Sequence, residues 1–289
     1  MRIVVTADLH YDIDRSRQPT LAIAEEICSL DADALLVLGD VAGRDVGIVS
    51  ECLHLFDRFE GLKLFVTGNH DIWTAPGGDS LDKLEHEVPA ACREAGFHPL
   101  DVEPVAVNGV GLAGSMGWYD YSYRPMRLGI PLRFYEAKMA PGAAARSARH
   151  AHLVADSSDT TESALQIGTR WMDGKYARLP MSDVAFCKYL LDRFDDHLQD
   201  LSGRCDRIVV GLHHVPFPEL VPHADKPGWS FASAFLGTAL FGEVMLNHPK
   251  VRYAFCGHSH KPGRIERRHL ECINVGCTYL AKRYEIVTV

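Results

Sequence analysis

Five short blocks of this sequence carry side chains that hold divalent cations: Asp8-Leu9-His10, Gly39-Asp40, Gly68-Asn69-His70-Asp71, His213-His214 and Gly257-His258-Ser259-His260. Carboxylate, imidazole and one amide oxygen form a hard-to-borderline ligand set. Such a set suits Mn, Fe or Zn better than Ca and needs no thiol. Two ions of this kind, held about 3.5–4 Å apart, are a common device for hydrolysing phosphate esters. A carboxylate has to bridge them, because the cations repel one another. Asp40, beside the small Gly39, is the natural candidate. Asp8 and His10 lie two apart, so in extended backbone they point the same way and grip one ion together. Asn69 offers a neutral oxygen that adds no charge to dull an ion's Lewis acidity. His258 and His260, again two apart, can serve different ions when carried on a loop.

The elements that must position these blocks alternate between strand and helix. Ile3-Val4-Val5 reads as a short buried strand ending before Asp8. Residues 19–30 have helical spacing. Ala34–Leu38 is a continuous apolar run closed by Gly39-Asp40. Residues 49–59 read as helix, and Leu62–Val66 as a third strand. Continuous apolar strands between helices predict an α/β core with strands buried on both faces. In open α/β sheets, ligands bind at the C-terminal ends of the strands, which is where each block falls. Further on, Val105–Ala113 reads as a strand, or as a hairpin about Asn108-Gly109. Residues 182–201 predict a helix capped by Ser182, and 207–212 a strand delivering His213. Residues 231–246 read as helix and Val251–Cys256 as a strand delivering His258. Three final strands are expected at 263–268, 270–275 and 284–289. Residues 124–180 hold four prolines and no clean periodicity.

The order D-x-H, G-D, G-N-H-D, H, G-H-x-H resembles that of the calcineurin-like metallophosphoesterase superfamily, over Asp8 to His260. The resemblance implies a four-layer α/β/β/α sandwich; the chain reads as one domain over residues 1–289, and its middle stretch, at about 118–180, as an insertion or lid. The late strands would belong to a second sheet. It implies one ion held by Asp8, His10, Asp40 and His260. The other would be held by Asp40, Asn69, His213 and His258. A metal-bound hydroxide would attack phosphorus in line. His70 would sit at the leaving group, as acid or as transition-state stabiliser, with a carboxylate to orient it. The protein Ser/Thr phosphatase branch places that carboxylate in G-D-x-x-D-R-G. Here the stretch reads Gly39-Asp40-Val41-Ala42-Gly43-Arg44-Asp45, so Asp71 or Asp45 becomes the candidate and a protein phosphatase is disfavoured. Arg44 matches the spacing of a phosphate-binding arginine, and His214 lies close enough to ligand or substrate to touch either. The aromatic loop at Trp118-Tyr119 either walls the cleft and contacts substrate or covers the core beneath the insertion.

Composition sets the outer bounds. The chain has 289 residues and a formal charge of −8, which disfavours general nucleic-acid binding. Its eight cysteines form no CxxC pair and read as free thiols in a reducing compartment. No apolar run reaches the roughly 20 residues of a membrane span. A ligand block this near the first residue leaves no room for a cleavable leader, so a cytoplasmic protein is expected. The expected cofactors are two divalent ions, Mn, Fe or Zn. The expected substrate is a small phosphoester, with a phosphodiester or nucleotide favoured because insertion and aromatic loop would narrow the cleft. A phosphomonoesterase, a nuclease and a non-catalytic interaction scaffold are the alternatives. No motif speaks to oligomeric state.

Overall fold

The pleat of a strand sorts one apolar run into two separate cores. In β2 (Ala34–Leu38), Ala34, Leu36 and Leu38 face a central core while Leu35 and Val37 face an outer one. β1 (Arg2–Thr6) divides the same way, Ile3 and Val5 against Val4, and so does β3 (Leu62–Val66), Leu64 and Val66 against Phe65. This is what a strand buried on both faces must do, since successive side chains point to opposite sides. The computed structural model describes residues 1–155, 158–223 and 225–289.

The outer core lies under α1 (Asp14–Cys28) and α2 (Val46–His54), and under α4 (Val88–Glu94), which follows the short α3 (Ser80–Asp82) and a π turn at Lys83–Glu87. The first sheet is completed by the two-residue β4 (His98–Pro99). The second sheet begins with a hairpin, β5 (Val105–Val107) and β6 (Val110–Ser115), turning at Asn108-Gly109 with positive φ at both. It continues through β7 (Arg207–Leu212), β8 (Val251–Cys256), β9 (Gly263–Arg267) and β10 (Leu270–Asn274), in the order β5-β6-β7-β8-β10-β9. Val209, Phe255 and Ile273 meet the first sheet in the central core. β1, β2 and β3 run parallel, as do β6, β7 and β8, so the five polar blocks leave their sheets at C-terminal edges.

The other face of the second sheet carries the described part of residues 118–180, the stretch expected as an insertion, and the later helices. That stretch holds α5 (Leu132–Glu136), α6 (Pro141–Ala145), α7 (Glu162–Leu165) and α8 (Asp173–Tyr176). They are followed by α9 (Asp183–Arg204), α10 (Pro227–Ala232) and α11 (Ala239–Asn247). Phe134, Tyr135, Ala144 and Ile167 from the insertion join Phe186, Leu190 and Phe194 of α9 in one cluster. Helices, sheet, sheet and helices therefore stack as four layers. α9 is capped as expected, Ser182 Oγ accepting from the Ala185 amide.

Two expectations are corrected here. The final strand, β11 (Glu285–Thr288), does not join the second sheet; it pairs antiparallel with β1. Pairing across the length of the chain leaves no local trace. The single helix expected at 231–246 is broken, with a 3-10 turn at Ser233–Phe235 and Gly237 at φ 147° before α11. A Cβ at Gly237 would lie 2.2 Å from the Val215 carbonyl, so that backbone crossing, invisible in periodicity, sets the break. All eight cysteines are free, seven of them buried. Among the described residues, no helix is long and apolar enough to cross a membrane.

Candidate metal centre

The five blocks meet because their turns are tied to one another. Asp8 N donates to the Gly39 carbonyl (3.0 Å) and His10 N to that of Asp40 (2.8 Å). The His258 amide donates to both Asp8 carboxylate oxygens (3.0 and 3.1 Å), and the Gly257 amide to the His213 carbonyl (3.1 Å). Gly39 and Gly68 let two turns touch: a Cβ on Gly39 would fall 2.3 Å from the Gly68 nitrogen, and one on Gly68 2.3 Å from Asp40 N. Asp8, His10, Asp40, His258 and His260 all hold positive φ, between 45° and 64°. That conformation costs a non-glycine residue roughly 1–2 kcal/mol, and it recurs where function over-determines the backbone.

The result is a continuous cluster. Asp8, His10 and His260 converge at one end, and Asp40, His213 and His258 at the other. Asp40 lies between them, with Oδ2 3.7 Å from His10 Nε2 and Oδ1 3.4 Å from His213 Nε2. Asn69 Oδ1 is 3.1 Å from His213 Nε2. His70 Nε2 stands 3.8 Å from Asp40 Oδ2, its side chain 19% exposed.

The donor chemistry fits cations. His213 Nδ1 donates to the Leu38 carbonyl (2.8 Å), and His258 Nε2 to that of Phe235 (3.2 Å). Those bonds place the ring protons on the outer side. The inward nitrogens, His213 Nε2 and His258 Nδ1, then face one another as bare lone pairs at 3.0 Å. His10 Nε2 and His260 Nε2 face at 3.3 Å at the other end. A cation about 2.1 Å from each nitrogen accounts for such spacings. Burial first, then neighbouring histidines, holds His10 and His258 well below the usual imidazole range; burial and Lys282 take His260 down to about 4. These rings are neutral, as ligands must be. Burial drives Asp8 up to about 6, and burial with the charges of Asp71 and Asp8 drives Asp40 well above the carboxylate range. Carboxylates crowded and dried in this way need nearby positive charge.

Other expected site residues are placed differently. Asp71 does not orient His70. Its two oxygens accept the backbone amides of Asp40 (2.8 Å), Val41 (3.0 Å), Ala42 (3.1 Å) and Gly68 (2.8 Å), clamping two turns together. Asp45 caps α2 through the Gly47 amide and is exposed. His70 is instead stacked on Trp73, ring centroids 3.6 Å apart. Trp118 and Tyr119 do not wall an open cleft: both are wholly buried, Trp118 Nε1 donating to Asp183 (2.9 Å) and Tyr119 OH to Asp173 (3.0 Å). His214 is 2% exposed, its Nδ1 donating to the Met116 carbonyl and its ring packed behind His258 at 4.3 Å. It backs the cluster from the buried side. Arg44 is exposed, its guanidinium 5.0 Å over the Tyr176 ring, which in turn lies 5.0 Å from Trp73.

Four residues at the centre escaped the sequence reading. Tyr279 packs on His10 (4.8 Å) and His260 (5.1 Å), with Arg15 above it (4.3 Å). Lys282 Nζ donates to the Asp8 carbonyl at 2.6 Å. Trp73, three residues after His70, was within reach of a closer look at that block. Asp173 had no signal at all, lying in a stretch without periodicity. Two shallow hollows beside Arg207, Lys250 and Arg252 lie at the opposite, N-terminal edge of the second sheet and contain none of these ligands.

Residues 1–129 match the family model described as calcineurin-like phosphoesterase. No curated protein matches the chain with significance. Among solved structures, a phosphopantetheinyl hydrolase from Mycobacterium tuberculosis is similar over 96% of this chain and 89% of its own, at 18% identity and TM-score 0.66. A dimetal phosphatase from Danio rerio is similar over 99% and 91%, at 11% identity and TM-score 0.54. At these identities the likeness is one of fold. It extends the match beyond residue 129, to the strands that deliver His213, His258 and His260.

Proposed function

We propose that this chain is a calcineurin-like phosphoesterase, a hydrolase of phosphoric esters, and that it cleaves a small phosphodiester or nucleotide at a two-cation centre. One observation carries the reading: two pairs of inward imidazole nitrogens, 3.0 and 3.3 Å apart, flank the buried carboxylate of Asp40. Asp8, His10 and His260 would hold one cation, and Asn69, His213 and His258 the other, with Asp40 shared. Bound there, the cations would supply Lewis-acid charge neutralisation and an activated water.

The chain's own residues do the rest. His70 lies 3.8 Å from Asp40 with its side chain partly exposed, and a leaving oxygen would stand beside it. Burial, then His213 and His260, hold its pKa down to about 3. At neutral pH it is therefore a neutral hydrogen-bond donor, which favours the stabilising role over that of proton-carrying acid. Trp73, Tyr176 and Arg44 continue outward from His70 as a half-exposed wall, and Tyr279 with Arg15 forms another beside His10. Flat rings beside guanidinium groups suit an organic leaving group with further charge, which supports a nucleotide or diester.

The test is a substrate panel on protein stripped with EDTA and reloaded with Mn2+. It compares bis-p-nitrophenyl phosphate, p-nitrophenyl phosphate, nucleotides and phosphopantetheinyl esters. Faster turnover of the diesters or nucleotides than of p-nitrophenyl phosphate is expected. Preference for the monoester would overturn the substrate class. Bound metal with no hydrolysis of any ester would leave an interaction scaffold.

A further inference from the structure

We infer that Asp173, in the insertion, is a positioning residue for the second cation site, because it fixes the amide of Asn69 so that Oδ1 faces His213. The inference rests on the reading of Asn69 as a ligand. Asp173 is 1% exposed and accepts four hydrogen bonds. Oδ1 takes Asn69 Nδ2 (2.8 Å) and Trp73 Nε1 (2.7 Å). Oδ2 takes Trp171 Nε1 (2.6 Å) and Tyr119 OH (3.0 Å).

A side-chain amide can rotate by half a turn and exchange its oxygen for its nitrogen. Only the oxygen can ligate a cation. A carboxylate accepts and cannot donate, so it selects one of the two orientations: nitrogen toward Asp173, oxygen toward His213. Asp173 is thus to Asn69 what a backbone carbonyl is to His213 and His258. Its other partners flank the same site. Trp73 stacks on His70, and Trp171 meets the His258 ring edge-on at 5.7 Å. The insertion is also sewn to the loop after β3, the Thr74 amide donating to the Tyr176 carbonyl (2.9 Å) and the Ser80 amide to that of Arg178 (3.0 Å). A segment so attached is a wall of the metal centre, and the cation site is incomplete without it.

The experiment is calorimetric titration of the EDTA-stripped full chain with Mn2+, for wild type and the variants N69A, D173A, D173N and Y119F, with circular dichroism melts to confirm folding. Wild type is expected to bind two ions. D173A should weaken one of them by about 10–100-fold, as N69A does, and leave the other within about threefold. D173N keeps one carbonyl oxygen for Asn69 and Trp73 and can turn its amide to the Tyr119 hydroxyl, but that amide also meets the Trp171 Nε1–H donor, so it should recover only part of the loss. Y119F removes a donor on the far side of Asp173 and should bind both ions as wild type does. Wild-type affinity in D173A overturns the inference while N69A still upholds the ligand. Wild-type affinity in N69A overturns the ligand itself. Equal losses in Y119F and N69A would show packing of the insertion, not orientation of the amide, and would also overturn it. If D173A does not fold, D173N against Y119F decides: loss in D173N as deep as in N69A counts against.

Discussion

Asp40 and His70 sit 3.8 Å apart, yet their substitution should separate binding from rate. Asp40→Asn has one oxygen left to share and should reduce bound metal to one ion or fewer per chain, by elemental analysis. Turnover should fall at least about a hundredfold. Full turnover in that variant removes the bridge. His70→Ala should keep both metals and lose about a hundredfold in kcat, since a donor to the leaving oxygen contributes on that order. Acid should act through Asp8 and Asp40. Burial raises the pKa of Asp8 to about 6, and burial with the charges of Asp71 and Asp8 raises that of Asp40 well above the carboxylate range. Below pH 6 protons compete for both, and Mn2+ affinity should drop by at least about tenfold per pH unit. His260, held near 4, is still neutral at pH 5 and adds nothing in that window. A flat affinity from pH 7 to pH 5 would contradict the ligand role of Asp8.

Among the turns that carry these side chains, Asp71 is the keystone. Four amides from the turns after β2 and β3 end on its carboxylate. Burial raises its pKa to about 7, while those amides and Lys83 pull the other way. Asp71→Ala would strand the amides inside the protein. A stability loss of about 3 kcal/mol is expected by denaturant titration, and with it a loss of metal, because Asp40 lies on one of the freed turns. Asp71→Asn keeps one acceptor oxygen and should lie between. A catalytic Asp71 would instead give a rate defect with unchanged stability. The aromatic loop shows why burial has to precede any functional reading. Trp118 and Tyr119 have the residue types of a stacking wall, but the insertion closes over them.

Both sheets offer their C-terminal edges to one place, and each supplies only part of the centre. β1, β2 and β3 bring Asp8, His10, Asp40 and Asn69; β7 and β8 bring His213, His258 and His260. Bound cations should therefore hold the two halves together. Mn2+ at 100 times its Kd should raise unfolding stability by about 2.7 kcal/mol for each site filled. EDTA should reverse the gain, followed as a shift in melting temperature. A melting temperature indifferent to Mn2+ would mean that the clusters hold no metal in the folded chain.

The convergence of the candidate ligands was largely legible in the order of residues, and the reason is local. Each candidate block directly follows an apolar run, so strand end and polar side chain are written side by side, and Asp8, Asp40, Asn69, His213, His258 and His260 can be found without knowing how the sheets meet. Contacts between segments distant in sequence leave no such mark. The pairing of β11 with β1, the service of Asp71 to four amides, the burial of Trp118 and Tyr119, and the reach of Asp173 to Asn69 were settled only when the chain folded. Periodicity and motif report what a residue does with its neighbours along the backbone. Which buried donor meets which acceptor depends on packing, and that is a property of the whole fold.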